Sequence, residues 1–379
     1  MIESSKDGGT GHPPAERHNR GGRCLRVLSL DGGGMRGLYT ATYLSCLLDG
    51  FAKKRIVAEL DFGKAFDLIV GTSTGAIIAC AIASGISLGT VARFYRDFGK
   101  DIFRRRLPNS IPDVLWDIAR RANWLESGDA VLRSALESVL GTATVAELYS
   151  TRRIALAITA IEMEHHSPIV FKTPHLRDSM HRDDGYRLVD ICLAWSAAPI
   201  YRSLAAIDNP ESSGGFRVFA DGGLWANNPV LVGLIDALRM TERDDRIEIY
   251  CLGTCPRPAG EMVEKDGIHR GLMDWRFGGN VATLAIDVQE AAYDQMARML
   301  SNHVARDCQV VRFPREQVPA QLQPYVDLDD TSDNAARALA AQAKKDAEMT
   351  NSHCGDPSNR EGQLVNQLFM HMPALEVNK

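Results

Sequence analysis

A serine between two glycines is the first candidate for catalysis in this chain. Residues 71–75 read Gly-Thr-Ser-Thr-Gly, a G-x-S-x-G pentapeptide that directly follows the apolar run 65–70 and precedes small, helix-forming residues at 76–84. In a sharp turn from strand to helix, the glycines let the backbone pass close to its neighbours, and the serine hydroxyl is presented at the carboxyl end of the sheet. The pattern predicts Ser73 as a nucleophile. The alternative is a turn serine that only caps the next helix.

A loop of three consecutive glycines is the second chemical feature. Residues 31–37 read Asp-Gly-Gly-Gly-Met-Arg-Gly and follow the apolar run 24–30. Backbone N–H groups of adjacent glycines can converge on one point, and the start of the following helix adds partial positive charge, so the loop suits an oxyanion. The loop also satisfies G-x-G-x-x-G, but a dinucleotide site needs an acidic residue where the next strand ends, and this strand ends in Val70-Gly71. An oxyanion hole is therefore favoured over a dinucleotide cofactor site. A nucleotide-binding regulatory module, in which the loop holds phosphate and Ser73 is only structural, remains an alternative.

An aspartate after a short apolar run could supply the base that a serine needs. Residues 217–220 precede Asp221-Gly222-Gly223, and Asn227-Asn228-Pro229 leads into the next helical pattern. A carboxylate so placed could take the serine proton directly. Alone, an Asp-Gly pair is as typical of a turn. A histidine base is a further alternative, because His269 and His303 follow Asp221 in the chain order of a Ser-Asp-His esterase.

A wound α/β sheet is the arrangement that would bring these motifs together. Apolar runs alternate with helical patterns, which is typical of strands joined by crossover helices. Predicted strands cover residues 24–30, 65–70, 154–161, 217–220 and 247–252, with a late edge strand at 308–313, and predicted helices cover 38–48, 76–84 and 229–240. Because the motifs follow predicted strands, we expect them at the same edge of the sheet.

Other segments are predicted to surround this sheet. Residues 88–140 form a helical insertion, in which 111–125 is amphipathic and a separate helix at 129–140 is bounded by Ser127 and Gly141. An ordinary cap with solvated charges is favoured; a membrane-touching lid whose Arg104, Arg105 and Arg106 face anionic groups is the alternative. Residues 314–379 predict an exposed, charged helical extension that begins at Ser332 or Asp333, and residues 1–23 a flexible leader.

Charge and composition exclude several classes of protein. The 379 residues carry 43 Lys and Arg against 48 Asp and Glu, a formal net charge of −5, which gives no electrostatic basis for binding duplex nucleic acid. No apolar run approaches the roughly 18–20 residues that span a bilayer, and the first 23 residues lack the apolar core of a secretory signal. The eight cysteines are scattered, most of them in apolar segments, as in a reduced cytoplasmic protein.

Taken together, the three motifs resemble those of the patatin-like phospholipase family. D-G-G-G-x-R-G, G-x-S-x-G and D-G-G with N-N-P occur in that order, Ser196-Ala197-Ala198-Pro199 resembles the family's S-A-A-P segment, and the resemblance spans about residues 24–255. It implies a three-layer α/β/α sandwich with a mostly parallel sheet over residues 24–313. It also implies hydrolysis of membrane phospholipid acyl esters through an acyl-enzyme, with no metal or cofactor.

The resemblance assigns a role to each candidate residue. Ser73 would attack the ester and Asp221 would act as its base, in a dyad. The oxyanion hole would comprise Gly32, Gly33, Gly34 and Arg36. In it the N–H groups around Gly33 and Gly34 would stabilise the oxyanion, and Arg36 would help to hold the loop. The supporting glycines of the motifs are Gly37, Gly71, Gly75, Gly222 and Gly223.

A narrower resemblance concerns regulation. The segments RVLSLDGGGMRG at 26–37 and FDLIVGTSTG at 66–75, with the overall length, are similar to bacterial patatin-like phospholipase effectors of cyclic-oligonucleotide anti-phage signalling. This resemblance implies activation by a cyclic dinucleotide such as cGAMP and action from the cytoplasm on the inner face of the membrane. The insertion 88–140 and the chain beyond residue 268 are large enough to hold such a ligand, and the arginines at 104–106 are candidate contacts.

Overall fold

The computed structural model describes residues 22–102, 111–197, 202–212, 214–255, 263–271, 273–275, 279–314 and 318–375, and only the backbone at 111–124, 195, 196 and 266. Three sequence-based expectations fall wholly or partly outside these residues. They concern the leader up to residue 21, the arginines at 104–106, and the last two residues of the S-A-A-P segment.

Within the described residues, eight strands form one mixed sheet in the order β5-β6-β3-β2-β1-β7-β8, with β4 paired to β3. Strands β1, β2, β3, β7 and β8 are parallel to one another, whereas β4, β5 and β6 are added antiparallel. The bounds are β1 Cys24–Leu30, β2 Leu68–Gly71, β3 Ala155–Glu162, β4 Ser167–Lys172, β5 Ala205–Asp208, β6 Phe216–Asp221, β7 Arg246–Leu252 and β8 Asp307–Arg312. The predicted α/β fold with a mostly parallel sheet is confirmed.

Two short strands and one strand boundary differ from the sequence-based expectation. Strands β4 and β5 are not predicted by the apolar pattern; β4 contains Pro168, which a strand at the margin of a sheet tolerates because one of its edges needs no N–H donors. Strand β2 begins at Leu68 rather than at residue 65, because Gly63–Ala65 is a 3-10 turn. The Asp61 carboxylate accepts the Lys64 N–H at 3.2 Å and holds that turn.

Helices cover both faces of the sheet. Their bounds are α1 Gly37–Arg55, α2 Thr74–Ala83, α3 Leu88–Ile102, α4 Ile111–Leu140, α5 Val145–Arg152, α6 Leu188–Ser196, α7 Gly223–Ala226, α8 Val230–Met240, α9 Gly279–His303, α10 Asp333–Gly355 and α11 Arg360–His371. No helix among the described residues is long and apolar enough to cross a bilayer.

The alternation of side chains along the central strands produces the three layers. In β1, Leu28 and Leu30 belong to a hydrophobic cluster with α1, α2 and α10, whereas Leu25 and Val27 belong to a second cluster with α8. Successive residues of a strand point to opposite faces, so a central strand with buried apolar residues on both faces lies between two helical layers. This arrangement is the predicted α/β/α sandwich.

Within the insertion, α4 is one continuous helix, so the prediction of two helices separated at Ser127 is wrong. Gly128 lies inside this helix, where glycine costs only about 1 kcal/mol. A Cβ at this position would lie 3.0 Å from the last carbonyl of α3, so the glycine lets the two helices meet closely. Leu136 is fully buried, and Gly141 follows the helix with a φ of +63°, as its predicted end. The second half of α4 is therefore part of the core.

The C-terminal helices also complete the core, which corrects the expectation of an exposed extension. Ser332 caps α10 as predicted, because its side chain accepts the Ala335 N–H. Tyr39 of α1 donates a hydrogen bond to Asp346 of α10 at 2.6 Å, and both residues are buried. Further along α1, Phe51 stacks on Phe369 of α11, with ring centroids 4.8 Å apart. One face of α10 and α11 therefore covers α1.

We expect Phe369→Ala to lower the free energy of unfolding by about 3–5 kcal/mol, because it removes a fully buried ring and leaves a cavity against α1. The adjacent Met370 is 41% exposed, and Met370→Ala should change the unfolding free energy by no more than about 0.5 kcal/mol. Equilibrium unfolding in urea measures both. Equal effects of the two substitutions would contradict the packing of α11 on α1.

Candidate active site

Ser73 lies in a tight turn between β2 and α2. Strand β2 ends at Gly71, α2 begins at Thr74, and Ser73 has φ 51° and ψ −130°, a conformation that side-chain-bearing residues rarely adopt. Such strain costs about 1–3 kcal/mol and persists only where the surroundings enforce it. A Cβ at Gly75 would lie 2.3 Å from the Leu30 carbonyl oxygen, so only glycine fits beside β1. The predicted sharp strand-to-helix turn is confirmed.

The pairing of β3 brings Asp221 to this turn. Gly71 at the end of β2 pairs with Ile158, and two residues further along β3 Ala160 pairs with Asp221 at the end of β6. Strand β4 occupies the other edge of β3 over the same stretch, so β6 continues along the edge that β2 leaves. The last residue of antiparallel β6 therefore lies beside the turn that holds Ser73.

Ser73 and Asp221 form a hydrogen-bonded pair. The Ser73 hydroxyl donates to Asp221 Oδ2 at 2.8 Å, and the Gly223 N–H donates to Asp221 Oδ1 at 2.7 Å. Burial raises the pKa of the Asp221 carboxyl to about 6, against the opposing effect of these two hydrogen bonds. The carboxyl is thus ionised at neutral pH and is a stronger base than an exposed aspartate.

The glycine loop lies directly against the serine. A Cβ at Gly32 would lie 2.9 Å from the Ser73 Cβ, and the Thr74 hydroxyl donates to the Gly34 carbonyl at 2.7 Å. Within the described residues, the N–H groups of Gly33 and Gly34 have no acceptor, whereas the Gly32 N–H donates to the Asn227 carbonyl at 2.9 Å. Because the Gly32 N–H is already bonded, the N–H groups of this loop that are available to an oxyanion within the described residues are those of Gly33 and Gly34.

Neighbouring groups hold the conformation of this loop. The buried Arg36 donates from Nε to the Gly33 carbonyl at 3.4 Å, as the motif implies. Gly34 has a φ of +55° and lies so close to the Leu328 carbonyl that a Cβ would be 2.3 Å from its oxygen. The other motif glycines serve close contacts too, since a Cβ on each would lie at most 2.9 Å from a neighbouring atom: Gly37, Gly71, Gly75, Gly222 and Gly223.

Two residues that hold the loop were missed by the sequence analysis. Arg312, at the end of β8, has a side chain that is 11% exposed and donates to Asp31 at 2.6 Å and to Asp294 of α9 at 2.7 Å. Its signal in the sequence is a charge inside an apolar strand pattern. Asn227 lies between the glycine loop and the Asp221 turn, and its side chain donates to the Gly32 carbonyl at 3.3 Å. The N-N-P segment marks its position but not this contact.

The structure does not assemble the alternative sites. Both oxygens of Asp221 are engaged by Ser73 and Gly223, and His269 and His303 are exposed, so no histidine completes a triad in the described part of the chain. Asp31, the acidic residue of the glycine loop, is paired with Arg312.

The turn between β3 and β4 carries three side chains whose ligand atoms lie within 4.8 Å of one another: Glu162, Glu164 and His165. Glu162 already accepts hydrogen bonds from the N–H groups of the other two.

Comparison with known proteins identifies the family of this chain. The model of the patatin-like phospholipases matches residues 28–234. A cGAMP-activated phospholipase of Escherichia coli (strain TW11681) is 30% identical, over 85% of this chain and 88% of that protein. One of Pseudomonas aeruginosa is 30% identical over 92% and 95%, and a cUMP-AMP-activated phospholipase of Escherichia coli is 25% identical over 86% and 92%.

The chain belongs to the patatin-like phospholipase family. This match confirms the resemblance drawn from the three sequence motifs. The family is one of ester hydrolases. All three motifs that carry it lie inside the matched range, whereas α9, β8, α10 and α11 lie beyond it.

The pKa of Asp221 generates a prediction that needs no lipid. A fluorophosphonate probe should label Ser73, because the hydroxyl oxygen attacks phosphorus, fluoride leaves, and Asp221 takes the proton. Below a pH of about 6 the Asp221 carboxyl is protonated, so we expect the labelling rate to fall about tenfold for each further pH unit. Mass spectrometry gives the labelled residue, and gel fluorescence over pH 4.5 to 8 gives the rate.

Three variants serve as controls for this labelling. Ser73→Ala should not be labelled, and Asp221→Asn should be labelled at least about 100-fold more slowly and without the acid limb. His303→Ala should match the wild type, because His303 is an exposed residue at the end of α9. A wild-type rate that stays constant from pH 7 to pH 5 would contradict Asp221 as the base.

Proposed function

We propose that this protein hydrolyses acyl esters of membrane phospholipids, as a phospholipase A or lysophospholipase, with Ser73 as nucleophile and Asp221 as base. The observation that carries the proposal is the 2.8 Å hydrogen bond between Ser73 Oγ and Asp221 Oδ2, next to a glycine loop with two N–H groups that have no acceptor in the described residues. Family membership supports the class of substrate.

The reaction proceeds through an acyl-enzyme. Ser73 Oγ attacks the ester carbonyl carbon while its proton passes to Asp221, and the tetrahedral oxyanion accepts hydrogen bonds from the N–H groups of Gly33 and Gly34. The intermediate collapses, the bond to the leaving alkoxide breaks, and Asp221 returns its proton so that the lysophospholipid or alcohol departs. In the second half, Asp221 takes a proton from water, which attacks the acyl-serine, and the fatty acid is released with Ser73 protonated again.

The base and the oxyanion donors contribute unequally to the rate. A carboxylate with a pKa of about 6 is only a moderate base, so a large share of the rate must come from the oxyanion donors. Each such donor contributes about 2.7–4 kcal/mol to transition-state stabilisation in serine hydrolases. Gly33 and Gly34 fit this role because, within the described residues, neither N–H group has an acceptor.

We also propose that a cyclic dinucleotide activates the enzyme. The relatives named as cGAMP-activated and cUMP-AMP-activated phospholipases each match more than four fifths of this chain, which supports the same mode of control here. Such an enzyme acts from the cytoplasm on the inner face of its own membrane and serves anti-phage defence. In this proposal residues 24–313 are the catalytic domain with its insertion at 88–140, and residues 314–379 are a helical extension packed on it.

The test is release of free fatty acid from phosphatidylethanolamine and phosphatidylglycerol vesicles. We expect the wild type to release fatty acid when 3′,3′-cGAMP is added, and Ser73→Ala to reduce the release by at least about a thousandfold, because the nucleophile is lost. Asp221→Asn should cause a loss of similar size. Liquid chromatography and mass spectrometry identify the fatty acid and the lysophospholipid.

The outcomes separate the two parts of the proposal. Serine-dependent release without nucleotide would retain the phospholipase and reject the cyclic dinucleotide as an activator. Release that continues in Ser73→Ala would reject the dyad. Lack of release with cGAMP, cUMP-AMP and no nucleotide, from the full chain, would contradict the phospholipid substrate.

A further inference from the structure

Helix α9 holds the N-N segment by four hydrogen bonds. Gln289 Oε1 accepts the N–H groups of Asn227 and Asn228, at 2.9 and 3.4 Å. The Asn228 side chain donates to the Glu290 carbonyl at 3.2 Å, and the Asn227 side chain donates to the Glu290 carboxylate. Gln289 and Glu290 lie beyond the residues that match the family model, which end at 234.

Asn227 in turn fixes the first glycine of the loop. Its carbonyl accepts the Gly32 N–H at 2.9 Å, and its side chain donates to the Gly32 carbonyl at 3.3 Å. The Thr254 hydroxyl donates to the same carbonyl at 3.0 Å. Hydrogen bonds thus hold both the N–H and the carbonyl group of Gly32. The Gly32 carbonyl carbon is bonded directly to the Gly33 nitrogen. Any rotation of this peptide therefore turns the Gly33 N–H.

Glu290 is an unusual residue for such a support. Its side chain is 9% exposed, and burial, together with the nearby Asp31 carboxylate, raises the pKa of Glu290 to about 7, against the Arg36 guanidinium and the Asn227 hydrogen bond. A buried acid is costly, and it persists where an acceptor is needed. Without this acceptor, the Asn227 amide would keep only the long contact to Gly32 and would be free to turn away.

We propose that Gln289 and Glu290 are positioning residues for the oxyanion hole: they hold Asn227, and Asn227 holds Gly32 so that the Gly33 and Gly34 N–H groups face the acyl oxygen. This inference rests on the proposed function, because it concerns the same site. It makes α9 one of the elements that set the geometry of the glycine loop, whereas the Ser73 turn is set by β1, β2 and α2.

The first experiment compares Glu290→Ala with Glu290→Gln on a soluble chromogenic acyl ester, under the nucleotide condition that gives vesicle hydrolysis. We expect Glu290→Ala to lower kcat about 10- to 100-fold with KM changed less than about threefold, because a misplaced oxyanion donor weakens the transition state more than the bound ester. Glu290→Gln keeps an acceptor oxygen and should recover activity to within about fivefold of the wild type. Gln289→Met should behave like Glu290→Ala.

A double substitution tests whether Glu290 acts through Asn227. Asn227→Ala should lower kcat by a similar factor, and Asn227→Ala with Glu290→Ala should be no slower than the slower single variant, because both remove the same support. Gln295→Ala, an exposed position on the same helix, is the matched control and should leave kcat unchanged. Thermal unfolding midpoints show whether each variant is folded.

The outcomes distinguish this inference from the proposed function. Multiplicative losses in the double variant, or a kcat in Glu290→Ala equal to the wild type, would overturn the positioning role while Ser73→Ala remains inactive. Equal losses in Glu290→Gln and Glu290→Ala would show that the carboxylate charge, and not its acceptor oxygen, is required. A wild type that neither hydrolyses the ester nor reacts with fluorophosphonate would overturn the proposed function and this inference with it.

Discussion

The site depends on one edge of β3 being shared by two strands. Strand β2 ends where Gly71 pairs with Ile158, and antiparallel β6 occupies the same edge from Ala160 onward. A strand that is parallel to β3 has its carboxyl end near the carboxyl end of β3. The carboxyl end of an antiparallel strand normally lies near the amino end of β3. Because β6 pairs only over its last residues, its carboxyl end also meets the turn after β2. Without this shared edge, a serine after β2 and an aspartate after β6 would lie at opposite ends of the sheet.

Burial gives the same region its electrostatic character. The Asp31 carboxylate and the Arg312 guanidinium are 2.6 Å apart, with side chains 2% and 11% exposed, and Arg312 also pairs with Asp294. Removing one partner of such a pair costs about 3–5 kcal/mol, because the other charge is left buried and uncompensated. The pair therefore ties the start of the glycine loop to β8 and α9. Away from this pair, burial raises the pKa of Asp221, and none of the described residues forms an ion pair with its carboxylate that would oppose this rise.

Local chemistry could be predicted from the sequence, and long-range contacts could not. The turn at Ser73 follows from two glycines between a strand and a helix, and the glycine loop follows from three consecutive glycines. Which N–H groups of this loop are available to an oxyanion does not follow from the sequence, since the hydrogen bond between Gly32 and Asn227 joins residues 195 positions apart in the chain. The continuity of α4 through Gly128 and the burial of α10 against α1 likewise depend on partners that no local pattern contains.

Different parts of the chain hold the Ser73 turn and the glycine loop. The Ser73 turn is packed between β1 and α2, inside the range that matches the family model. The glycine loop is also held from beyond that range: Leu328 accepts the Met35 N–H at 2.9 Å, Arg312 pairs with Asp31, and α9 holds Asn227. A ligand can shift a conformational equilibrium only through contacts that differ between the two states. Contacts of the chain beyond residue 234 reach the oxyanion loop directly, so the loop is where control from that part of the chain would act on catalysis.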